Sequence, residues 1–388
     1  MNIFEKSHRI IVTCNKRLAP YLDMEIRELG FTPERIFLTG VELNGTVNDC
    51  IKLNLNLRYA SQVLYSLREL TVNNPDDLYR QLTAIDWETF LDADGYISVT
   101  SNVDHPTVNN SLFVNVKVKD AIVDRIRKQT NRRPDSGPDL GKAVIHLYWK
   151  DSKAEIFIDT SGETLAKHGY RKIPGKAPML EALAAAAVLA TKWDRESPFI
   201  NPMCGSGTIA IEAALLATDR KPGLLRTNYA FMHIKGYDDK VYGDQVDELR
   251  NRIREVKGLK IVATDISADA VKISKVNATA AGVEEYIQFG HCDFEQTDVP
   301  EEEEGVIFFN PEYGERLGDV QALEGTYSRI GDFMKKRCEG YTGYIFTGNL
   351  DLAKKIGLKA SRRIEFYSAK LDCRLLEYEL YRGTKRSI

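Results

Sequence analysis

Asn201-Pro-Met-Cys-Gly-Ser-Gly-Thr208, running into Ile209-Ala-Ile-Glu-Ala-Ala214, is the stretch whose reading decides the fold. The apolar step Pro198-Phe199-Ile200 precedes it, and an Ala-rich helical pattern follows. This spacing predicts a strand, a tight glycine turn and a helix N-terminus. Gly205 and Gly207 lack a Cβ, so the chain can turn sharply and a ligand can lie against the backbone. The first helical turn presents free N–H groups and a partial positive charge.

Working outward on the C-terminal side, strands and helices alternate. Leu259–Thr264 reads as a strand ending at Asp265, and Ser267–Ala281 as a helix closed by Gly282. Ile287–Cys292 reads as a strand ending at Asp293, and Gly305–Phe309 as one ending at Asn310-Pro-Glu-Tyr-Gly314. Tyr341–Thr347 is another strand, and Arg363–Ser368 with Leu375–Tyr381 form a terminal hairpin. On the N-terminal side, Ala177–Lys192 reads as an Ala-rich amphipathic helix. Between the glycine turn and Asp265 lies a long insertion with a helical run from Asp247 to Val256. Such alternation predicts a parallel sheet with helices on both faces and a ligand at the C-terminal strand ends.

Four strand ends then carry chemistry. The turn (Asn201, Pro202, Cys204, Gly205, Ser206, Gly207, Thr208) supplies backbone N–H groups and room. Asp265 can take both ribose hydroxyls, and Ile266 beside it is a further cofactor-binding candidate. Asp293, with Phe294, can accept from an adenine amino group. Asn310, Pro311, Glu312 and Tyr313 face whatever reacts. Gly205-x-Gly207-x-x-Ala210 also fits the dinucleotide fingerprint, but that expects an acidic partner about twenty residues on, and Asp265 comes far later. No P-loop is present. S-adenosylmethionine accounts for all four strand ends. His291 and Cys292 are adjacent strand residues and read as buried rather than metal-binding; no metal is expected.

Whole-chain properties bound this reading. At 388 residues, two or three domains are expected. The net charge of −3 by itself points to no polyanionic partner, so local charge decides. Six scattered cysteines without a C-x-x-C pair, and a Met1–Lys6 start without an apolar run, predict a reduced cytoplasmic setting and no membrane segment.

In the first half, Ile10–Cys14 reads as a strand, Pro20–Leu29 as a helix, Phe37–Leu43 as a hairpin, Cys50–Leu57 as an alternating strand and Arg58–Leu67 as a helix. Then come a helix over 75–90, strands at 95–101 and Leu112–Val118, a helix from an Asp120 N-cap to Gln129, and strands at Lys142–Tyr148 and Lys153–Asp159. Residues 111–133 hold seven basic side chains against two acidic ones. Arg125, Lys128 and Arg132 recur at helical spacing, with Lys117, Lys119 and Arg133 nearby, so the stripe is either an RNA contact or a solvated helix face.

A resemblance weighs on that choice. Val118-Lys-Asp-Ala-Ile-Val-Asp-Arg-Ile-Arg127, Arg132-Arg-Pro134, Asp159-Thr-Ser-Gly-Glu163 and His168-Gly-Tyr-Arg171 are similar to THUMP domains, which are RNA-binding modules. Asn201–Thr208 with Glu212-Ala-Ala, Thr264-Asp-Ile-Ser267, Cys292-Asp293 and Asn310-Pro-Glu-Tyr-Gly-Glu-Arg-Leu317 resemble the THUMP-containing class I methyltransferases. Within these, the chain resembles the N-terminal half of the enzyme type that makes N2-methylguanosine in 23S rRNA. The resemblance implies an α/β Rossmann-like class I methyltransferase domain over 166–388, with a seven-stranded sheet whose last strand is antiparallel. It also implies an α+β ferredoxin-like subdomain over 1–64 and a THUMP domain over 65–165. In the family, the Asn oxygen and a loop carbonyl hold the guanine amino group, and the Tyr ring stacks on the flipped base. Glu312 departs from the family's second proline, which gives up backbone stiffness and keeps the carbonyls. Glu315 and Arg316 are expected to brace that loop. Tyr170 and Arg171 either border the site or form a hinge. Three functions remain in view: 23S rRNA methylation, the same chemistry on tRNA, and RNA binding without catalysis.

Overall fold

A computed structural model describes residues 2–106, 108, 110–175, 178–300, 304–313 and 320–381, with only the backbone of 320–322. The chain forms two compact units. The first comprises Met1–Asn15, Ala19–Ala166 and Pro222–Leu249; the second comprises Lys16–Leu18, Lys167–Lys221 and Arg250–Ile388.

In the first unit, β1 (His8–Cys14), α1 (Ala19–Glu28), β2 (Arg35–Phe37), β3 (Gly40–Gly45), α2 (Val47–Asn56) and β4 (Ala60–Thr71) come first. α3 (Pro75–Leu82), β5 (Tyr96–Asp104), α4 (Ser111–Thr130), β6 (Asp135–Ser136), β7 (Ala143–Lys150) and β8 (Lys153–Asp159) follow. One eight-stranded sheet joins them in the order β2-β3-β1-β4-β8-β7-β5-β6. β4 pairs with β1 through Ile10↔Tyr65 and with β8 through Leu64↔Asp159. The expected boundary between residues 64 and 65 therefore falls inside one continuous strand.

Three local readings change here. Ile51, Leu53 and Leu55 alternate in sequence, yet they lie in α2, where Val47, Cys50, Ile51 and Asn54 are also buried. Thr46 starts this helix with a capping box: its hydroxyl accepts from the Asp49 N–H, and the Asp49 carboxylate accepts from the Thr46 N–H. A helix buried on most of its circumference loses the 3.6-residue pattern that would have revealed it. Arg58–Leu67, read as a helix, lies largely in strand β4. Leu112–Val118, read as a strand, is the start of α4, which puts Asp120 in mid-helix. Asn110 caps α4 by accepting from Leu112 N–H, and Val114, Val118, Ala121, Ile122 and Ile126 bury one helical face.

His146 on β7 is almost wholly buried, with Nδ1 2.8 Å from the Thr100 hydroxyl on β5. Burial lowers its pKa from 6.5 to about 4. The neutral ring is therefore the native form. As pH falls from 6.5 towards 4, the unfolded chain takes up a proton that the folded chain refuses, and stability drops by about 3 kcal/mol. His146→Asn should flatten the urea-unfolding free energy of this unit across that window. An unchanged pH slope would refute the assignment.

From Lys167 the chain enters the second unit with α5 (Glu181–Leu189), β9 (Phe199–Pro202) and α6 (Thr208–Ala217). α5 was read as amphipathic, but every residue from Glu181 to Val188 is buried. The Pro222–Leu249 segment belongs to the first unit. There Arg226 donates to the carbonyls of Glu163 (2.9 Å) and Thr164 (3.2 Å), and Gly223 sits so close to Leu55 that a Cβ would lie 2.2 Å from its carbonyl oxygen. α7 (Asp239–Asn251) starts eight residues before the helical run read from the sequence. β10 (Ile261–Asp265), α8 (Ala268–Ala281), β11 (Ile287–His291), β12 (Val306–Phe309) and α9 (Val320–Arg337) follow. β13 (Thr342–Thr347), α10 (Leu350–Lys354), β14 (Arg362–Ser368) and β15 (Leu371–Glu379) complete the chain.

The second sheet has seven strands in the order β11-β10-β9-β12-β13-β15-β14, with the last strand, β15, antiparallel to both neighbours. β9 pairs in parallel with both β10 and β12, so the strand order reverses there. Edge-to-face packing of Phe294, Phe309 and Phe333 joins Tyr327, Ile330 and Ile345 in one core cluster. In such sheets, ligands bind at the C-terminal strand ends beside the reversal point.

Candidate active site

The turn after β9 takes three positive φ values: Met203 at 57°, Gly205 at 56° and Gly207 at 82°. Gly207 has no alternative side chain, because a Cβ would lie 2.6 Å from the Ser274 hydroxyl. Cys204 N–H donates to the Thr264 carbonyl at 2.9 Å, which ties the turn to β10. Thr208 then opens α6, so its first N–H groups face the same end of the sheet as the strand termini. Gly175 approaches from the preceding loop, where a Cβ would stand 3.2 Å from the Ser206 Cβ.

Asn277 holds this assembly together, and the sequence reading missed it. Fully buried on α8, it accepts from the N–H groups of Lys172 (2.9 Å) and Ile173 (3.2 Å) and donates to the carbonyls of Ser206 (3.1 Å) and Ile173 (3.2 Å). The available signal was an amide side chain on an otherwise apolar helical face.

Asp265 ends β10. Its Oδ2 accepts from the Gly205 N–H and its Oδ1 from the Ser267 N–H, both at 2.9 Å. Beside it Ile266 is 70% exposed, an apolar side chain left open at a strand end. His291 is exposed rather than buried, and its Nε2 lies 3.1 Å from the Ile266 carbonyl; Cys292 is half-buried. Asp293 accepts from the Glu295 N–H (3.0 Å) and from Arg329 (2.8 Å) on the same Oδ1. Burial alone would raise its carboxyl, but these donors hold it below the usual carboxylate range. The Arg329 guanidinium also covers the Phe294 ring at 4.8 Å.

At the reversal point, Asn201 donates to the Phe308 carbonyl at 2.9 Å, joining β9 to β12. Its Oδ1 and the Asn310 Oδ1 are both shielded from solvent and have no hydrogen-bond partner among the described residues. Past Asn310, Pro311 is buried, Glu312 exposed and Tyr313 half-buried. The Tyr313 ring lies against Gly348, where a Cβ would come within 3.2 Å, and its side chain bonds to the buried Cys373 thiol. Gly314, Glu315, Arg316 and Leu317 lie outside the described residues.

Tyr170 and Arg171 belong to a buried network under α6. The Glu212 Oε1 takes the His168 Nδ1 at 2.7 Å and the Tyr170 hydroxyl at 2.8 Å. Arg171 donates to the Met179 carbonyl (2.6 Å) and to the Thr208 hydroxyl (3.0 Å). Tyr170 is 1% exposed, so it supports the turn from behind.

The basic residues of the first unit are mostly matched locally. Arg125 bonds Asp86 (2.6 Å) and Glu88 (2.7 Å), Lys117 bonds Asp76 (2.9 Å), Lys119 pairs with Asp120 and Arg132 with Asp94. Arg132 also lies past the end of α4, after Asn131 turns left-handed, so it does not continue the helical stripe. Lys128 and Arg133 are exposed.

Comparison with known proteins gives three family matches. Residues 9–64 match the RlmL ferredoxin-like domain, 72–159 the THUMP domain, and 168–377 the RMKL-like methyltransferase domain. The chain is 33% identical over 383 residues to a ribosomal RNA large subunit methyltransferase K/L of Syntrophotalea carbinolica, covering 96% of this chain and 53% of that protein. It thus spans about half the length of these K/L relatives. A putative RNA methyltransferase of Synechocystis sp. is 30% identical over 92% of this chain and 93% of its own length. A crystal structure of a putative methyltransferase complexed with SAH superposes with TM-score 0.87 and 26% identity, over 98% of this chain and all of that one. With its larger domain matched from 168 to 377 and a full-length relative at 30% identity, the chain belongs to the RMKL-like methyltransferase family, in the form that carries ferredoxin-like and THUMP domains.

Proposed function

We propose that this protein is an S-adenosylmethionine-dependent RNA methyltransferase that acts on the exocyclic N2 of a guanine in 23S rRNA. The observation that carries the reading is the Oδ1 of Asn310 at the sheet reversal point, shielded from solvent and without a hydrogen-bond partner among the described residues. A buried acceptor left unmade is expensive, and it persists where a ligand donor completes it. The names of the K/L relatives and the THUMP match support an RNA substrate.

The residues present fit the cofactor. Glycine backbone at positive φ accepts close approach, the Asp265 carboxylate at the end of β10 would take the ribose hydroxyls, and exposed Ile266 would offer an apolar face for adenine. Asn201 Oδ1 is a second orphaned acceptor beside the turn. Asp293 can meet the adenine amino group only through the oxygen not already shared with Glu295 and Arg329.

When bound, S-adenosylmethionine supplies an electrophilic methyl group on a positively charged sulfur. The chain's own part is positioning. The guanine amino lone pair is delocalised into the ring, so the nitrogen is a weak nucleophile. Asn310 Oδ1 and a carbonyl at Pro311 or Glu312 accept its N–H groups and hold the lone pair towards the methyl. Tyr313 gives the flipped base a stacking surface. The nitrogen sheds one proton after it gains the methyl, and the amide and carbonyl oxygens need only hold it until then.

The test is incubation with labelled S-adenosylmethionine and separated rRNA and tRNA from cells lacking the gene, followed by nucleoside analysis. Label in N2-methylguanosine of the 23S fraction is expected. Label in tRNA would move the substrate; no label in either fraction, with cofactor bound, would count against catalysis on naked RNA. Asp265→Ala should weaken cofactor binding by roughly 10–100-fold in calorimetry, since it removes both the ribose partner and the acceptor of the Gly205 N–H. Unchanged affinity would remove Asp265 from the site.

A further inference from the structure

The tip of the β14–β15 hairpin lies at the catalytic end of the second sheet. β15 runs antiparallel to β13 with Thr347 opposite Arg374, so the turn at Ala369 and Lys370 projects past the same strand ends that carry Gly348 and Tyr313. The hairpin also touches the active loop through its other face: Cys373, which bonds Tyr313, pairs with Phe366, whereas Tyr367 pairs with Asp372 and alternates to the opposite face.

The charge at this tip is organised. Arg374 lies 3.4 Å from Glu365 and 2.6 Å from Asp372, and Arg17 lies 3.3 Å from Glu365 and also pairs with Asp372. Hydrogen bonding from Arg374 is the main cause that holds the Asp372 carboxyl below its ordinary range. Two arginines thus balance the two carboxylates. Lys16 and Lys370 are then in excess. Lys16 sits 4.5 Å over the half-exposed Tyr367 ring, and Lys370 is fully on the surface. Lys16 and Arg17 belong to the second unit, so this is one local surface.

We propose that Lys16, Tyr367 and Lys370 form a subsite for the RNA strand flanking the methylated guanine. Lysines held in excess beside a half-exposed aromatic ring match the pairing of phosphate charge with a base face that single-stranded nucleic acid presents. The nucleotide next to a flipped base must leave the active loop along the sheet's catalytic end, and the hairpin tip is a cationic feature there. The ammonium over the ring favours one placement of Tyr367 by cation–π attraction. This inference rests on the RNA methyltransferase reading and adds to it the path of the strand.

The test uses the full chain with Lys16→Ala plus Lys370→Ala, and separately Tyr367→Ala, on whichever RNA fraction the wild type methylates. The lysine pair should raise KM for that RNA about tenfold at 0.1 M salt and make the salt dependence shallower by about 1.4 in log–log slope, at about 0.7 per phosphate contact. Tyr367→Ala should raise KM by a similar factor with the slope unchanged. kcat at saturating RNA and affinity for S-adenosylmethionine should stay at wild-type values in both, which also reports correct folding. Unchanged KM and slope, with the wild type methylating RNA, would overturn the subsite alone. A wild type that neither binds nor methylates any RNA would remove the functional reading, and the subsite with it.

Discussion

Asn310→Ala should lower the single-turnover rate of methyl transfer by about 10²–10³-fold, while S-adenosylmethionine affinity should change less than tenfold. The magnitude is what loss of one preorganised hydrogen-bonding group does in a water-poor site. The Asn310 Oδ1 has no hydrogen-bond partner among the described residues. It sits at the end of a strand whose four residues are all buried, so the backbone cannot drift to rescue a missing acceptor. Removing it leaves an amino group desolvated without its partner, a penalty felt where the nitrogen turns nucleophilic. Asn310→Asp keeps acceptor oxygens at the same place and should fall between the two. Tyr313→Phe keeps the ring against Gly348 and loses only the bond to Cys373, so it should retain most of the rate; Tyr313→Ala should not. A rate for Asn310→Ala within threefold of wild type would show that the acceptor base is held elsewhere.

The sequence made the second unit legible because parallel strands ending in glycine, Asp or Asn announce themselves one by one. Asp265 closes β10 and Asn310 directly follows β12, as read, while Asp293 stands two residues past the end of β11, one further than the reading put it. What stayed hidden is how they occupy themselves. Asp265 braces the glycine turn through Gly205, and Asp293 is half committed to Arg329, a residue thirty-six positions away. No linear pattern reports a partner at that separation.

In the first unit the errors have one physical source. α2 and the start of α4 carry apolar residues at every second position, and period two is the signature of a strand. What decided both in favour of helix was the cap: Thr46 with Asp49, and Asn110 reaching Leu112. Such caps are visible in sequence, and giving them priority over alternation would have placed both helices. The ion pairing within the basic stripe was illegible for a different reason. Arg125 was counted as available charge, whereas Asp86 and Glu88, nearly forty residues earlier, hold it.

The His168-Gly-Tyr-Arg171 run resembled a THUMP motif, and its residues fall in the second unit, supporting the glycine turn from behind. His168→Ala should therefore unfold that unit early, with a loss of about 3–5 kcal/mol, the range for removing one partner of a fully buried carboxyl–imidazole pair. For a unit of this size that is a fall in Tm of roughly 6–20 °C. Glu212 is completely buried in α6, and its Oε2 has no hydrogen-bond partner among the described residues, so Oε1 carries the solvation of the carboxylate. His168 and the Tyr170 hydroxyl both reach that single oxygen. Taking away the imidazole leaves the group, packed in apolar surroundings beside α5, with the Tyr170 hydroxyl as its remaining donor among the described residues. Glu212→Gln keeps the shape and removes the charge, so on its own it should cost less than His168→Ala. In the double variant, most of the His168→Ala loss should disappear, because the stranded charge is gone. Calorimetric unfolding of all three gives the coupling. Additive losses would show that His168 contributes packing and not charge compensation. The same coupling should reach the ligand: α6 begins at Thr208, four residues before Glu212, so a loosened helix start should weaken S-adenosylmethionine binding well below the melting temperature.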